Sequence, residues 1–168
     1  QKLKSFSSIG RHIDRVDAEG NNYAPENADK NRLNLNLHWD ANGKAFSQNE
    51  WRDGLINNPL AKRVNDRIKE GYKLEKSIRK DAVKALEYIL TSDGRKMSEL
   101  ESKPDRFKAW LNENRNFIER IHGKENIVAF SLHRDEETAH IHAVVVPLTK
   151  DGRLTMEPFV GSPKILTN

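Results

Sequence analysis

The sequence predicts an α+β fold in which helices flank an antiparallel β-sheet, arranged as an α/β sandwich. An apolar–polar alternation at residues 33–39 is typical of a half-buried strand. Two runs rich in β-branched and aromatic residues follow late in the chain, at 127–132 and 140–148, and helical periodicity fills the region between. Because a short, mostly polar stretch separates the late runs, they predict a hairpin, which makes the sheet antiparallel.

The composition fits one mildly basic folded domain. Of 168 residues, 32% are charged and 36% are hydrophobic, and the formal net charge is +4. Such a charge suits a polyanionic partner but does not establish one. The absence of cysteine excludes disulfides and thiolate metal sites. Without an apolar run long enough for a bilayer span, and without a signal-peptide pattern, we expect a cytoplasmic protein.

The first predicted strand follows a polar, turn-rich segment, residues 1–32, in which no regular element is predicted. The strand places Leu33, Leu35, Leu37 and Trp39 on one face and Asn34, Asn36, His38 and Asp40 on the other. Asn42–Gly43 predicts the turn that closes it.

Two helices are predicted next. Ser47 and Glu50 have the spacing of a capping box, so one helix begins there, and Asn58–Pro59 interrupts it. A second helix covers about residues 60–70 and ends at Gly71, since glycine is a good C-terminal stop.

The later elements follow the same reasoning. Helical spacing predicts a helix over residues 76–91, with Ile78, Ala82, Leu86, Ile89 and Leu90 on its buried stripe. Pro104 suits the first turn of another helix, which ends at Gly123. After the late hairpin, Asp151–Gly152 predicts a tight turn and residues 153–156 a third strand.

A histidine-rich pattern spans the late hairpin: His133, Asp135, Glu136, His140 and His142, spaced as H-x-D-E-x3-H-x-H. His140 and His142 point the same way on a strand, and a hairpin brings His133 across from His140. Three imidazoles then converge, which predicts a metal site with open positions. The two carboxylates of the loop can orient the rings, ligate the metal or accept protons.

This pattern resembles the HUH endonucleases, in which one bulky hydrophobic residue, here Ile141, separates two histidines. More narrowly, it resembles the MobV-type relaxases, also called Mob/Pre proteins or plasmid recombination enzymes. The matching stretches are Asn126–Val128, His133–His142, Val146–Leu148 and Asp151–Leu154. Ala139 departs from the family pattern, which usually has proline there. The resemblance implies an HUH relaxase-like sandwich that nicks and rejoins one DNA strand at a transfer origin, for conjugative mobilisation of a plasmid or transposon.

The resemblance also implies the nucleophile. MobV relaxases are similar in using a histidine near the N-terminus in an H-x-x-R setting, which His12 and Arg15 match. His12 would attack phosphorus and hold the cut strand as a phosphohistidine, Arg15 would steady the phosphoryl charge, and Glu136 or Asp135 would orient or deprotonate. The family's second motif is matched by Asn27, Asp29, Arg32 and Asn34, and of these Asn27, Arg32 and Asn34 are expected to contact DNA.

Positive charge is concentrated in the segment Lys62–Lys80, which is either a solvated helix face with internal ion pairs or a phosphate track. Arg79 and Lys80 lie in a stretch that resembles a recurring helix of the MobV family, so we expect them to contact DNA. Trp39 and Trp51 are candidates for stacking on unpaired bases, whereas Trp110 has core spacing.

The expected cofactor is a divalent metal ion, Mn²⁺ or Mg²⁺, and the expected partner is single-stranded or supercoiled DNA at a transfer origin. Residues 1–168 are expected to be a relaxase catalytic domain from a longer bacterial chain, with a coupling protein or accessory proteins acting through regions beyond it. The opening Gln1–Lys4 resembles a point inside the family's start, which implies that most of a first strand is missing.

Two alternatives stay open. A replication initiator of the same superfamily would use a tyrosine, and Tyr23 is the best placed, but Tyr23, Tyr72 and Tyr88 all lack the lysine three residues on. A non-catalytic DNA-binding or autoregulatory module would keep the metal without cutting. Outside the site, His38 is expected to be structural or a minor DNA contact, His122 to cap a helix C-terminus, and Tyr88 to pack within a helix.

Overall fold

A computed structural model describes residues 5–55 and 57–160, apart from the side chains of residues 159–160. Its five strands are β1 (Leu37–Trp39), β2 (Ala45–Ser47), β3 (Leu86–Leu90), β4 (Ile127–His133) and β5 (His140–Val145). They form one sheet in the order β2-β1-β4-β5-β3, with every neighbouring pair antiparallel. The predicted α+β class with an antiparallel sheet is therefore confirmed.

Helices surround this sheet. They are α1 (Phe6–Asp14), α2 (Gln48–Gly54), α3 (Leu60–Gly71), α4 (Gly94–Glu101), α5 (Pro104–His122) and α6 (Glu157–Val160), with 3-10 turns at Lys30–Leu35 and Lys124–Asn126. Within the described ranges, no helix is long and apolar enough to cross a membrane.

The two faces of the sheet carry different layers. On β5, Ile141, Ala143 and Val145 point into an apolar cluster with α4 and α5, which we call the apolar face. The alternate residues His140, His142 and Val144 point to the opposite side, the histidine face, where α1 and α3 pack. The period of two along a strand produces this division.

Several predicted boundaries are confirmed. Ser47 and Glu50 form the capping box that starts α2, with reciprocal side-chain bonds to backbone N–H groups. Pro104 occupies the first turn of α5, and Gly123 ends that helix at a φ of 87°, a left-handed value that glycine adopts without strain. The helix predicted at 60–70 is α3, which ends at Gly71.

The helix predicted over residues 76–91 is wrong. Residues 73–85 contain neither helix nor strand, and 86–90 form β3, an edge strand paired along its whole length with β5. Leu86 and Leu90 satisfy helical spacing and strand alternation equally well. The alternation with Tyr88 wins because it places all three side chains against the apolar face.

The N-terminal predictions are also corrected. The segment expected to be turn-rich contains α1, whose stripe of Phe6, Ile9 and Ile13 packs on the α3 layer and follows the N-cap Ser5. Of the strand predicted at 33–39, only β1 forms. Residues 30–35 instead make a 3-10 turn, which Asp29 caps by accepting a hydrogen bond from the Asn31 N–H.

Three short elements, β2, α4 and α6, were not predicted, and the third strand predicted at 153–156 is wrong. That segment makes only an isolated bridge between Leu148 and Leu154. The implied missing strand before Gln1–Lys4 falls outside the described residues.

Candidate metal centre and active site

The β4–β5 hairpin brings three histidines together on the histidine face. His133 pairs directly with His140, and His142 lies two residues further along β5 on the same side. Their ring centroids are 5.3 Å (His133–His140), 4.7 Å (His133–His142) and 4.9 Å (His140–His142) apart. Imidazoles that share one ion at nitrogen distances of about 2.1 Å have centroids roughly 5 Å apart, so the spacing suits a common metal.

Helix α1 delivers a fourth imidazole. His12 lies in its last turn, with ring centroids 5.9 Å from His133 and 5.2 Å from His142. A close helix crossing permits this approach, because a Cβ at Gly10 would lie only 3.0 Å from the Cβ of Leu60. Glycine at that position therefore lets α1 pack closely against α3, with His12 in the last turn of α1 against the hairpin.

Backbone carbonyls fix the orientation of two of these rings. The Nε2–H of His133 donates to the Ile13 carbonyl at 2.8 Å, and the Nδ1–H of His140 donates to the Thr138 carbonyl at 2.8 Å. A carbonyl can only accept, so the lone pairs reside on His133 Nδ1 and His140 Nε2 in the neutral rings. Each ring is therefore held in one tautomer with a free ligand atom.

A carboxylate holds the third ring. The Nδ1–H of His142 donates to Glu87 Oε1 at 2.8 Å, across from β3. This histidine–carboxylate pair is the kind of support that metal-ligating imidazoles usually have. Sequence reasoning missed Glu87 because it assigned residues 76–91 to a helix. As a strand, 86–90 would have placed Glu87 on the same face as the histidines.

The residues present fit a metal ion. His133 Nδ1 and His142 Nε2 are buried ring nitrogens without a hydrogen-bond partner among the described residues. A buried polar atom without a partner is costly, and a cation would satisfy both nitrogens at once. Such nitrogens are ligands that first-row divalent metals accept.

Two overlapping sets of ligand atoms meet this requirement. One is His12, His133 and His142, and the other is His133, Glu136 and His140. Within each set the atoms lie no more than 4.8 Å apart. His133 belongs to both sets, so the centre combines the three predicted histidines with His12 on one side and Glu136 on the other.

Burial keeps the imidazoles of His12, His133 and His140 neutral. Burial, reinforced by the charge of Arg15 and by His142, lowers the pKa of His12 from 6.5 to about 4. Burial likewise holds the pKa of His133 well below 6.5 and lowers that of His140. At neutral pH these rings therefore offer nitrogen lone pairs for bonding to a metal or to phosphorus.

Arg15 ties α1 to the hairpin loop. It ends α1 in the left-handed region, at φ 53°, and is fully buried. Its Nε and Nη2 bond to the two oxygens of Asp135 at 2.9 and 3.1 Å, Nη2 also reaches Glu136 at 2.6 Å, and Nη1 donates to the His12 carbonyl at 2.7 Å. The bidentate partner of Arg15 is therefore Asp135, where the sequence led us to expect a phosphate.

The two loop carboxylates have different surroundings. Burial raises the pKa of Asp135, but the bonds from Arg15 outweigh burial, so the net pKa is lowered and the group is ionised. Glu136 binds Arg15 through Oε1 and directs Oε2 to within 3.9 Å of His140 Nε2. Asp135 is thus a fixed anchor for Arg15, whereas Glu136 is the carboxylate that faces the metal centre.

The residues predicted to contact DNA are spread more widely. Arg32, on the 3-10 turn, donates to the Glu136 carbonyl at 3.4 Å, so it borders the centre. Asn27 and Asn34 are exposed near the same turn. Arg79 has a side chain that is 81% exposed and pairs with Asp81, and Lys80 is exposed beside it.

The basic segment Lys62–Lys80 divides into two parts. On α3, Arg63 is nearly buried, with Nη2 on Asp14 at 2.6 Å and Nη1 on the Val128 carbonyl at 2.8 Å, so it is structural. Four exposed cations follow α3, at Lys73, Lys76, Arg79 and Lys80, while Lys62 and Lys69 are exposed on α3 itself. The interpretation as internal ion pairs therefore holds for part of α3. The exposed cations of the loop after α3 remain candidates for contact with DNA phosphates.

The aromatic and remaining histidine residues serve packing. Trp51 is sandwiched between the stacked ring of His38 and the guanidinium of Arg63, so neither face is open to a base. His38 is buried and bonds through its two ring nitrogens to Ser131 and Gln48, both at 2.7 Å, which fits the structural interpretation.

The expected role of His122 is corrected. Burial lowers its pKa from 6.5 to about 4, so at neutral pH it is not the cation that a helix C-terminus would favour. Its Nε2 instead bonds the hydroxyl of Tyr88 at 2.6 Å. Tyr88 lies on strand β3, facing the apolar face, where a helical position was predicted.

The sequence comparisons with known proteins agree with one another. The profile of the plasmid recombination enzyme family, Mob_Pre, matches residues 1–168. A plasmid recombination enzyme type 3 of Staphylococcus aureus is 32% identical over 170 residues, covering 99% of this chain and 37% of the relative. A plasmid recombination enzyme of a Bacillus species is 38% identical over 94 residues, covering 54% of this chain and 22% of that protein. The chain thus spans well under half the length of these relatives.

Among solved structures, the chain is similar to the MobM relaxase domain bound to plasmid pMV158 oriT DNA in a Mn-bound crystal structure. The TM-score is 0.74 at 24% sequence identity, and the match covers 99% of this chain and 76% of that chain. At this identity the likeness establishes a common fold.

Proposed function

The chain belongs to the plasmid recombination enzyme family, Mob_Pre, and from this premise we propose that it is the nicking and joining domain of an HUH-type DNA relaxase. It would cut one strand at a transfer origin and later reseal it, in the mobilisation of a plasmid or transposon. One observation carries the proposal: a neutral histidine, His12, lies against a three-histidine centre whose unpartnered ring nitrogens suit a divalent metal.

His12 is the proposed nucleophile. Its pKa of about 4 leaves the ring neutral, so a nitrogen lone pair is available near neutral pH without a general base to remove a proton. Attack on phosphorus forms an N–P bond and breaks a P–O bond. The departing oxygen leaves with the other part of the strand as a hydroxyl, and the proton it takes up is balanced by the one that the second nitrogen of the ring releases. Because the phosphohistidine keeps an activated phosphoryl group, the departing hydroxyl can attack it later and restore the phosphodiester.

His133, His140 and His142 are the proposed metal ligands, with Glu136 adjoining them. A bound divalent ion would supply Lewis-acid stabilisation of charge on a non-bridging phosphate oxygen. Mn²⁺ is the proposed ion because the MobM relaxase domain that this fold matches was crystallised with Mn. Mg²⁺ is the alternative among the hard cations.

Arg15, Asp135 and Glu136 are proposed to position the nucleophile. Arg15 bonds the His12 carbonyl and both carboxylates, so it joins the end of α1 to the loop between two ligand strands. This arrangement supports a positioning role for Arg15 in place of direct phosphate contact. Asp135 compensates its charge, and Glu136 is the proposed proton acceptor or additional ligand.

DNA is the proposed partner. The pMV158 complex supports a transfer-origin strand as substrate, because the matched relaxase domain is bound to oriT DNA. Asn27, Arg32 and Asn34, which surround the 3-10 turn beside Glu136, are proposed to line the path of the strand. Arg79 and Lys80 are proposed to contact phosphates further from the cut.

A covalent-adduct assay tests the proposal. The protein is incubated with Mn²⁺ and a single-stranded oligonucleotide that carries the transfer origin of its own element. We expect a covalent adduct that is labile in acid, as a phosphohistidine is, and that is lost in His12→Ala but retained in Tyr23→Phe. An acid-stable adduct lost only in Tyr23→Phe would instead support the tyrosine mechanism.

One observation favours a second role for His12. Its ring nitrogen lies within ligand range of His133 and His142, so it could be a metal ligand in the resting protein. Mn²⁺ affinity separates the two roles. A nucleophile substituted by alanine leaves the affinity within a few-fold of wild type, whereas loss of a ligand weakens it by orders of magnitude.

A further inference from the structure

An isoleucine beside the metal centre is exposed without an evident structural reason. Ile89 lies in β3 and is 61% exposed, although β-strand positions next to a core are usually apolar and covered. It pairs directly with His142 across the sheet, so both side chains point to the histidine face. The position of Ile89 is fixed because it lies within β3, which is joined to β5 by five residue pairs.

Helices α1 and α3 cover the neighbouring part of the histidine face. Ile13 of α1 packs with Ala129 of β4 and Val144 of β5, and α3 contributes Leu60 and Val64 to the same cluster. His12 closes the centre from the α1 side. The end of β3 that carries Ile89 therefore forms one exposed border of the centre, beside His142, across which a strand reaching His12 can lie.

Positive charge is concentrated in the segment of chain that precedes β3. The segment 73–85 leads directly into β3, and its Ile78 and Ala85 pack in the same layer as α1 and α3. Its cations are Lys73, Lys76, Arg79, Lys80 and Lys84, opposed by Glu75 and Asp81. Glu87, the acidic group nearest Ile89 on β3, is engaged by His142. Ile89 thus offers an apolar platform beside His142, and the chain that enters β3 carries a net positive charge, two features that together suit a nucleotide.

We propose that Ile89 is a positioning residue that packs against the base or deoxyribose of an unpaired nucleotide beside the phosphate that is cut. The proposal rests on the proposed relaxase function. An aliphatic side chain makes no hydrogen bond, so its contribution is burial against a flat ring and depends little on which base is present. Contact at this point would hold the neighbouring phosphate between His12 and the metal ligands.

Three variants test the contact. Ile89→Ser removes the apolar platform and Ile89→Val keeps most of it. Phe117→Ser is the matched control, because Phe117 is a large hydrophobic residue that is 41% exposed on α5, in the layer on the other side of the sheet. The readouts are affinity for a dye-labelled single-stranded oligonucleotide carrying the origin, cleavage kinetics on the same strand, and Mn²⁺ affinity.

We expect Ile89→Ser to weaken oligonucleotide binding and raise KM by roughly tenfold, the value of burying most of one aliphatic side chain. Ile89→Val should restore most of the affinity, and neither variant should change Mn²⁺ affinity. Phe117→Ser should bind and cut as wild type does. A purely structural role would lower Mn²⁺ affinity or stability together with binding.

The outcomes separate the two proposals. If wild type binds the strand but never cuts it, the relaxase function fails while the affinities of the Ile89 variants still decide the contact. If wild type cuts and Ile89→Ser binds and cuts equally well, the contact is overturned and the function stands. Equal losses in Ile89→Ser and Phe117→Ser also overturn it, and a wild type that neither binds nor cuts overturns both.

Discussion

The two faces of the sheet are built from alternate residues of the same strands, yet they are held in different ways. On β5, Ile141, Ala143 and Val145 enter an apolar cluster under α4 and α5. Between them, His140 and His142 enter a buried polar centre closed by α1. The apolar face consists of apolar contacts, whereas the histidine face combines its own apolar cluster with a centre that depends on specific hydrogen bonds.

This difference separates stability from chemistry. Apolar burial is non-directional and favourable in proportion to area, so the apolar face stabilises the fold without fixing any one atom. The histidine face buries the guanidinium of Arg15 and, among the described residues, two ring nitrogens without a partner, which is costly unless the guanidinium has its acceptors and each nitrogen a donor or a cation. Substitutions on the two faces should therefore affect different measurements.

The largest expected effect is on catalysis, from His142→Ala. Removing a ligand nitrogen should lower the nicking rate by roughly a thousandfold or more, the value of several kcal/mol of metal-derived charge stabilisation. Stability without metal should change far less than catalysis, because losing the bond from Nδ1 to Glu87 is partly offset by removing the buried Nε2, which has no partner among the described residues. Nicking kinetics and urea unfolding measure the two effects, and a variant that cuts within tenfold of wild type would contradict the assignment.

The next effect is on stability, from Phe130→Ala on the apolar face. Phe130 is 1% exposed and packs edge-on against Trp39, so its removal should cost about 3–5 kcal/mol of unfolding free energy. The nicking rate per folded molecule should stay near wild type at low temperature. Urea denaturation gives the free energy, and a loss below about 1 kcal/mol would show that this face is not the main source of stability.

A smaller effect is expected from Glu87→Gln. The amide oxygen still accepts the Nδ1–H of His142, but the negative charge that raises the basicity of the ring is lost. We expect Mn²⁺ affinity to fall by about 10–100-fold with the fold intact. Isothermal titration measures the affinity. Glu99→Gln, which removes an exposed surface carboxylate, is the control and should bind as wild type does.

A further effect, of a different kind, is expected on the pH dependence of stability. Burial lowers the pKa of His38 and His122 from 6.5 to about 4, and of His12 to the same value. Between pH 4 and pH 6.5 the unfolded chain binds protons that the folded chain does not. The unfolding free energy is therefore highest above about pH 6.5 and falls as the pH approaches 4.

His122→Gln on the apolar face should leave most of this dependence, since the other depressed histidines lie on the histidine face. Urea midpoints across this pH range, measured without added metal, supply the test. A stability that rises on acidification would show that these rings are not held neutral.

Much of this architecture is predictable from local patterns. The period of two around His140 and His142 predicts that the rings share a face, and the short loop after His133 predicts that it faces them. Capping residues predict the limits of α2 and α5, because Ser47, Pro104 and Gly123 act through their own backbone geometry. These features depend on neighbours within a few residues.

The remainder depends on tertiary context. Leu86 and Leu90 fit a helix or a strand, and only pairing with β5 decides for the strand. Glu87 becomes a partner of His142 through that pairing alone. The contact of Arg15 with Asp135 joins residues 120 positions apart, and no sequence pattern distinguishes it from an arginine that binds phosphate.

The most direct test of the central claim is to identify the residue that carries the DNA. The covalent adduct formed with Mn²⁺ is digested with trypsin at alkaline pH, where a phosphohistidine survives, and is mapped by mass spectrometry. Cleavage after Arg11 and Arg15 places His12 in a peptide of residues 12–15 and Tyr23 in the next one, residues 16–30. The nucleotide mass on His12 is the predicted result. The same mass on Tyr23 would contradict histidine catalysis.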